Sequence, residues 1–113
     1  MAVEIRGPTD ETLDAIASAF EAYQADHPDA RITMYRQGPY SIRVRLIDPG
    51  FESMSRGARS RLVWSYLARL TEDQQADVNM FLLRTPEEIE DSIANDEFED
   101  PIPPIHLEGV KAD

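Results

Sequence analysis

Apolar positions in the first quarter of the chain recur at helical spacing. Thr9 or Asp10, which follow Pro8, can cap a helix by accepting hydrogen bonds from its first N–H groups, and Pro28 ends it. The apolar stripe of this predicted helix consists of Leu13, Ile16, Ala17, Phe20 and Tyr23. Because these residues recur with a period near 3.6, the pattern indicates an amphipathic helix with one buried side.

Two alternating stretches follow at residues 31–37 and 40–48, and Gly38-Pro39 turns the first into the second. Side chains two apart along a strand point the same way, so the predicted hairpin has two distinct faces. One face is apolar and carries Ile32, Met34, Ile42, Val44 and Leu46. The opposite face carries Arg31, Thr33, Tyr35, Arg43 and Arg45.

The second half of the chain predicts a long helix, a buried strand and a short helix. Apolar residues recur at helical spacing over residues 55–70, and an apolar run at 78–83 indicates a strand. Thr85 begins the last helix. It supplies the cap, Pro86 occupies the first helical position, and Glu88 stands three residues after the cap.

This order of elements predicts an α+β fold: helix, strand, strand, helix, strand, helix. We expect a three-stranded mixed sheet with its helices on one face, and no element in the polar run at residues 71–77. From residue 96 onward, the periodic pattern gives way to acidic residues, three prolines and isolated apolar residues. Residues 1–95 are therefore predicted to form a single domain, and residues 96–113 an acidic, proline-rich tail that is extended or disordered.

The length of 113 residues suffices for one hydrophobic core and not for two. The chain contains no cysteine, which excludes disulfides, thiolate zinc sites, cysteine nucleophiles and iron–sulfur clusters held by this chain alone. No window approaches the roughly 18 apolar residues that span a bilayer, so we expect no membrane association. A reduced, cytoplasmic setting fits these features.

Charge is divided unevenly along the chain, whose net charge is −11. Residues 31–70 carry +6, while the segments before and after them carry −6 and −11. Arg56, Arg59 and Arg61 fall in the first turns of the second predicted helix, where cations oppose the helix dipole by a few tenths to ~1 kcal/mol. These arginines favour a nearby anion, and Glu52 is the candidate closest to them in sequence.

The predicted order, the strand sequence SIRVRLIDPGF and a phenylalanine eight positions before an Arg-x-Arg resemble the BolA family. In that family the central helix reads Arg-His-Arg, two apolar residues and an aromatic one. Residues 59–64 of this chain read RSRLVW. The resemblance covers residues 32–88, about half the chain, and implies a KH-like fold of class II with a non-enzymatic role.

Departures from the family pattern bear on its cofactor. BolA-type proteins share a [2Fe–2S] cluster with a monothiol glutaredoxin, using one histidine from the carboxyl-terminal half and a histidine or cysteine from the hairpin loop. The loop of this chain, residues 37–40, contains no such ligand. Ser60 and Asn79 replace family histidines and are poor ligands for iron. We therefore expect no cofactor and no pairing with an iron–sulfur glutaredoxin.

No combination of nucleophile, base and orienting residue can be recognised, so we do not expect an enzyme. His27 and His106 have no carboxylate or nucleophile at a spacing that builds a triad, and both are expected at the surface. The acidic runs at 87–91 and 96–100 lack the alternating pattern and the glycine of a calcium loop. No metal site is therefore expected.

The residues predicted to bind a partner or an anion are Arg31, Tyr35, Arg43, Arg45, Arg56, Arg59 and Arg61. One hypothesis is an interaction or regulatory module that binds a protein partner, or a second copy, through the open face of the sheet. The alternative is a nucleic-acid-binding regulator that uses the same arginine-rich face, although the net charge opposes it. A third reading is a charge-balanced surface, in which flanking acids pair with the arginines or the acidic tail covers them until a partner displaces it.

Overall fold

The computed structural model describes residues 3–90 and Phe98. The strands are β1 (Val3–Ile5), β2 (Arg31–Gly38), β3 (Ser41–Ile47) and β4 (Val78–Arg84). The helices are α1 (Glu11–Asp26), α2 (Arg56–Leu67), α3 (Glu72–Asp77) and α4 (Pro86–Ile89), and a 3-10 turn spans Pro49–Phe51. The predicted α+β class is confirmed. The predicted tail, apart from Phe98, lies outside the described residues, as do residues 91–95.

The four strands form one mixed sheet in the order β1-β2-β3-β4. β2 and β3 form the predicted antiparallel hairpin, β4 runs parallel to β3, and β1 runs parallel to β2. The sheet therefore has one strand more than the three predicted. The hydrophobic pattern does not reveal β1 because three residues are too few to show alternation, and because its partner β2 follows only after α1.

Side-chain caps determine where the helices begin. Asp10, Ser55 and Thr85 each accept a hydrogen bond from a backbone N–H in the first turn of α1, α2 and α4. The sequence predicts the caps at Asp10 and Thr85. α3 was not predicted. Thr71 and Gln74 form a reciprocal capping box at its start, but the helix has six residues and buries none of them, so periodicity cannot detect it.

The main hydrophobic core lies between one face of the sheet and the helices α1 and α2. Its members include Leu13, Ile16, Phe20 and Tyr23 of α1, Ile32, Met34, Ile42, Val44 and Leu46 of the hairpin, Phe51 of the 3-10 turn, and Val63 and Leu67 of α2. Burying one such side chain contributes about 1.5–3 kcal/mol. This layer therefore holds α2 against the sheet and fixes the position of the arginines at its first turns.

A second, smaller cluster lies on the opposite face of the sheet, which we call the second face. It consists of Tyr35, Ile47, Leu82, Ile89 and Phe98, with Met80 packed against them. Ile89 belongs to α4, so this helix packs on the second face. The sequence predicted all helices on one face, and the structure differs in this respect. Strand alternation places one set of side chains on each face, but it does not tell which later segment returns to cover the second.

Candidate functional site

Phe98 packs on the second face, in the cluster with Tyr35, Ile47, Leu82 and Ile89. Its side chain is fully buried, with 0% exposure, and its ring meets Tyr35 edge to face at 5.5 Å between ring centroids and an interplanar angle of 80°. The guanidinium carbon of Arg45 lies 5.7 Å from the centroid of the Phe98 ring. The ring is thus in contact with an aromatic side chain and a cation, two groups that favour aromatic partners.

The second face is covered rather than open. Tyr35 and Arg45 are 2% and 7% exposed. Arg45 faces Thr33 across the β2–β3 pair, and its Nη2 donates to Thr33 Oγ1 at 3.0 Å. Tyr35 and Arg45, which both contact Phe98, are therefore held by the sheet, so the position of the Phe98 ring between them is well defined.

Arg43 extends this surface towards the edge strand β4. It pairs with Tyr35 on β2 and with Met80 on β4, and its Nη1 lies 3.7 Å from Met80 Sδ. In the sequence, the residues that flank Phe98 are Asp96, Glu97, Glu99 and Asp100. An aromatic residue within an acidic segment matches the two chemical features of the second face, a site for a ring and positive charge.

Arg59 is buried, and its guanidinium bonds within the protein. Its nitrogens donate to the backbone carbonyls of Phe51, Met54 and Leu83 at 2.8, 3.2 and 3.0 Å. Its carboxylate partner is Glu88, at 2.7 Å, and not Glu52 as the sequence suggested. Hydrogen bonding by Arg59 lowers the pKa of Glu88 to about 2. Arg59 therefore joins α2 to the 3-10 turn, to β4 and to α4.

The remaining predicted residues, Arg31, Arg56 and Arg61, are exposed. Arg56 and Arg61 lie on α2, which packs against the main core, so these arginines do not join the second face. Of the seven predicted residues, the structure brings Tyr35, Arg43 and Arg45 together on the second face, where Arg31 pairs with Ile47 at the other end of β2. Arg56 and Arg59 line a separate cavity with Arg84.

A buried polar group that the sequence did not single out links α1 to the end of β3. Tyr23 Oη donates a 2.7 Å hydrogen bond to Asp48 Oδ2. The His27 ring stacks on Tyr23 at 4.2 Å, and its Nδ1 lies 3.6 Å from Asp48 Oδ2. His27 is thus half-buried beside a carboxylate and not a plain surface residue. Only the packing of α1 on the sheet brings these residues together, so spacing gives no signal of the group.

The group formed by Tyr23, His27 and Asp48 has a structural role. Burial raises the pKa of Tyr23 far above its ordinary value, and the hydrogen bond to Asp48 raises it further. The phenol therefore stays protonated near neutral pH, where it acts as a donor and not as a base. Asp48 also accepts from Gly50 N at 2.8 Å, so its carboxylate closes the turn after β3.

Within residues 3–90 and Phe98, no three histidine or acidic side chains lie close enough to hold a metal ion. In the same part of the chain, no helix combines the length and apolar character needed to cross a membrane. Comparisons with protein-family models, curated proteins and solved structures find no match. The function is therefore inferred from the residues and geometry of this chain alone.

Proposed function

We propose that the chain is a non-enzymatic interaction module that binds a protein partner through the second face of its sheet. The partner contributes an aromatic side chain from an acidic segment, and this side chain takes the place of Phe98 between Tyr35 and Arg45. One observation carries the proposal, the full burial of Phe98 against these two residues. A buried aromatic anchor in a well-defined pocket is the arrangement that dominates affinity in many protein interfaces.

The kind of module that we infer is a divergent BolA-like, KH-like domain. The order of elements from α1 to α4 and the mixed pairing of β2, β3 and β4 support it. Arg59, the first arginine of the RSRLVW motif, supports it by anchoring α2. Ser60 and Asn79 offer a hydroxyl and an amide in place of histidines, and Asn79 Oδ1 accepts from Ser41 at 3.0 Å. The proposal therefore includes no iron–sulfur cluster and no glutaredoxin partner.

The alternative, a nucleic-acid-binding regulator, requires an accessible aromatic ring on which a base can stack. Tyr35 is the aromatic residue among the arginines, and its burial under Phe98 opposes this role. The net charge of −11 also repels a phosphate backbone at long range. A protein partner is thus favoured. A second copy of the chain has suitable chemistry, because its own tail carries Phe98 among acids.

The test uses a fluorescently labelled peptide covering residues 92–104, which carries Phe98 and its flanking acids. The Phe98→Ala variant of the full chain lacks the resident ring, so we expect it to bind the peptide and to raise its fluorescence anisotropy. The wild-type chain should bind at least about tenfold more weakly, because its tethered Phe98 competes at a high effective concentration. Added salt should weaken binding, because it screens the attraction between the acidic peptide and the arginines of the second face.

Two matched controls make the outcome specific. A peptide with alanine at position 98 should fail to bind. The Tyr40→Ala variant, which removes an aromatic ring that is 82% exposed in the hairpin turn, should behave as the wild type. Equal binding to the wild-type and Phe98→Ala chains would place the peptide elsewhere on the molecule. Binding of the alanine peptide would show that the acidic charges bind without the aromatic ring. Each of these two results would reject the proposal.

A further inference from the structure

A small cavity lies between α2 and the edge strand β4. Its volume is about 220 Å³, below the roughly 300 Å³ at which pockets for drug-sized ligands begin. The residues that line it are Arg56, Arg59, Ser60, Phe81, Leu83 and Arg84. One part of the wall is therefore cationic and another apolar, and the space fits a small anion or the terminal group of a larger molecule.

The wall of this cavity carries excess positive charge. Arg59 is neutralised by Glu88. Among the residues that the structure describes, neither Arg56 nor Arg84 forms an ion pair with a carboxylate. Burial lowers the pKa of Arg84, and the nearby charges of Arg56 and Arg59 lower it further, while the charge of Glu88 raises it. The cavity thus holds cations close together, an arrangement that a bound anion relieves.

The location of the cavity at the start of α2 adds to this charge. The helix begins at Arg56 after the Ser55 cap, and its first turn contains no acidic residue. The free N–H groups of a first turn carry a partial positive charge, which reinforces the charge of the arginines. Ser60 contributes a hydroxyl to the wall, and a hydroxyl can donate a hydrogen bond to an anionic oxygen.

We propose that this cavity binds a phosphoryl group, as inorganic phosphate or as the phosphate of a small monoester. The guanidinium groups of Arg56 and Arg84 hold its oxygens by charge-assisted hydrogen bonds, for which the planar fork of arginine is suited. Phe81 and Leu83 provide the apolar wall for the organic part of a monoester. The inference does not depend on binding at the second face, because Phe81 and Leu83 lie on the main-core side of the sheet.

The experiment titrates the full chain with inorganic phosphate and, separately, with phenyl phosphate, by calorimetry at an ionic strength held constant with sodium chloride. We expect saturable binding. Arg56→Gln and Arg84→Gln should each weaken it roughly tenfold or more, since each removes a charge-assisted hydrogen bond. Tighter binding of phenyl phosphate would identify an organic monoester as the ligand class, and tighter binding of phosphate itself would identify the inorganic ion.

Arg61→Gln is the matched control, because Arg61 is exposed on the same helix and does not line the cavity. This variant should keep the wild-type affinity. Arg56 is also exposed, so Arg56→Gln should remain folded by circular dichroism and decides the test even if Arg84→Gln unfolds. The inference is overturned if Arg61→Gln weakens binding as much as Arg56→Gln, or if the wild-type chain shows no saturable binding.

Discussion

Two tyrosines of the protein donate hydrogen bonds to aspartates in different surroundings. Tyr23 donates to the buried Asp48 at 2.7 Å, and Tyr66 donates to Asp26 at the surface at 2.6 Å. Tyr23→Phe leaves a buried carboxylate without this donor, so we expect the free energy of unfolding to fall by about 1–3 kcal/mol. Tyr66→Phe should cost less than about 1 kcal/mol, because water can replace the lost phenol.

Urea denaturation of both variants and of the wild type measures this difference. Both variants lose one phenol hydroxyl, so the comparison between them isolates the effect of burial. Equal losses would mean that the backbone N–H of Gly50 and the neighbouring His27 satisfy Asp48 without Tyr23. That result would contradict the structural role that we assign to the Tyr23 hydroxyl.

The ion pair of Arg59 and Glu88 makes stability depend on acid pH. The pKa of Glu88 is about 2 in the folded protein, below the value of about 4.3 expected in an unfolded chain. A carboxyl group with a depressed pKa stabilises the fold above its unfolded pKa, and this stabilisation is lost as the pH falls from about 4.3 towards 2. Because the Glu88 side chain is 44% exposed, solvent screens the pair and limits its contribution to about 1 kcal/mol.

The Glu88→Gln variant should therefore lose about 1 kcal/mol relative to the wild type near neutral pH. This difference should shrink as the pH falls below about 4.3. Denaturation curves collected across this range provide the measurement. Glu87→Gln, the same change at the exposed neighbour on α4, should leave the pH dependence close to that of the wild type. Parallel curves for the wild-type and Glu88→Gln chains would show that the pair contributes nothing to acid sensitivity.

At the scale of helices and strands, sequence predicts the elements that bury a long apolar face. α1 and the β2–β3 hairpin are such elements, because their periodic apolar residues are buried in the main core. β1 and α3 have three and six residues, which is too short for a period to appear. β1 is fixed by its pairing with β2, and α3 begins at the Thr71 capping box. Neither interaction leaves a signal in the hydrophobic pattern.

Asp10 joins two elements, because it caps α1 and pairs with a side chain of β2. Its Oδ1 accepts from Leu13 N at 2.9 Å, and its carboxylate also accepts from Arg36. The Arg36 guanidinium lowers the pKa of Asp10 by hydrogen bonding. Asp10→Ala should lower the free energy of unfolding by about 1–2 kcal/mol, because both interactions are lost.

Asp10→Asn separates the two contributions, since asparagine caps helices about as well as aspartate but carries no charge. We expect it to recover most of the loss, because an ion pair at the surface contributes about 1 kcal/mol or less. Thermal or urea denaturation of the two variants provides the comparison. If Asp10→Asn destabilises the chain as much as Asp10→Ala, the pairing of α1 with β2 outweighs the cap.

At the scale of the whole molecule, sequence predicts which side chains share a face but not what covers them. Alternation correctly placed Tyr35, Arg43 and Arg45 on the side of the hairpin opposite its apolar residues. It could not show that Phe98 covers this side, because a single apolar residue among acids has no period. The same limit applies to Arg59, which shares its helix with exposed arginines and is buried by contacts with distant segments.

The most direct test of binding at the second face is to follow the environment of Phe98 itself. The chain contains four phenylalanines and can be labelled with 4-fluorophenylalanine, and the resonance missing in Phe98→Ala assigns position 98. We predict a fluorine shift for Phe98 that differs from that of the free amino acid. It should move towards the free value when unlabelled peptide 92–104 is added in excess, while the other three resonances stay in place. A Phe98 resonance that begins at the free value, or that does not move when the peptide binds, would contradict the exchange of aromatic side chains at the second face.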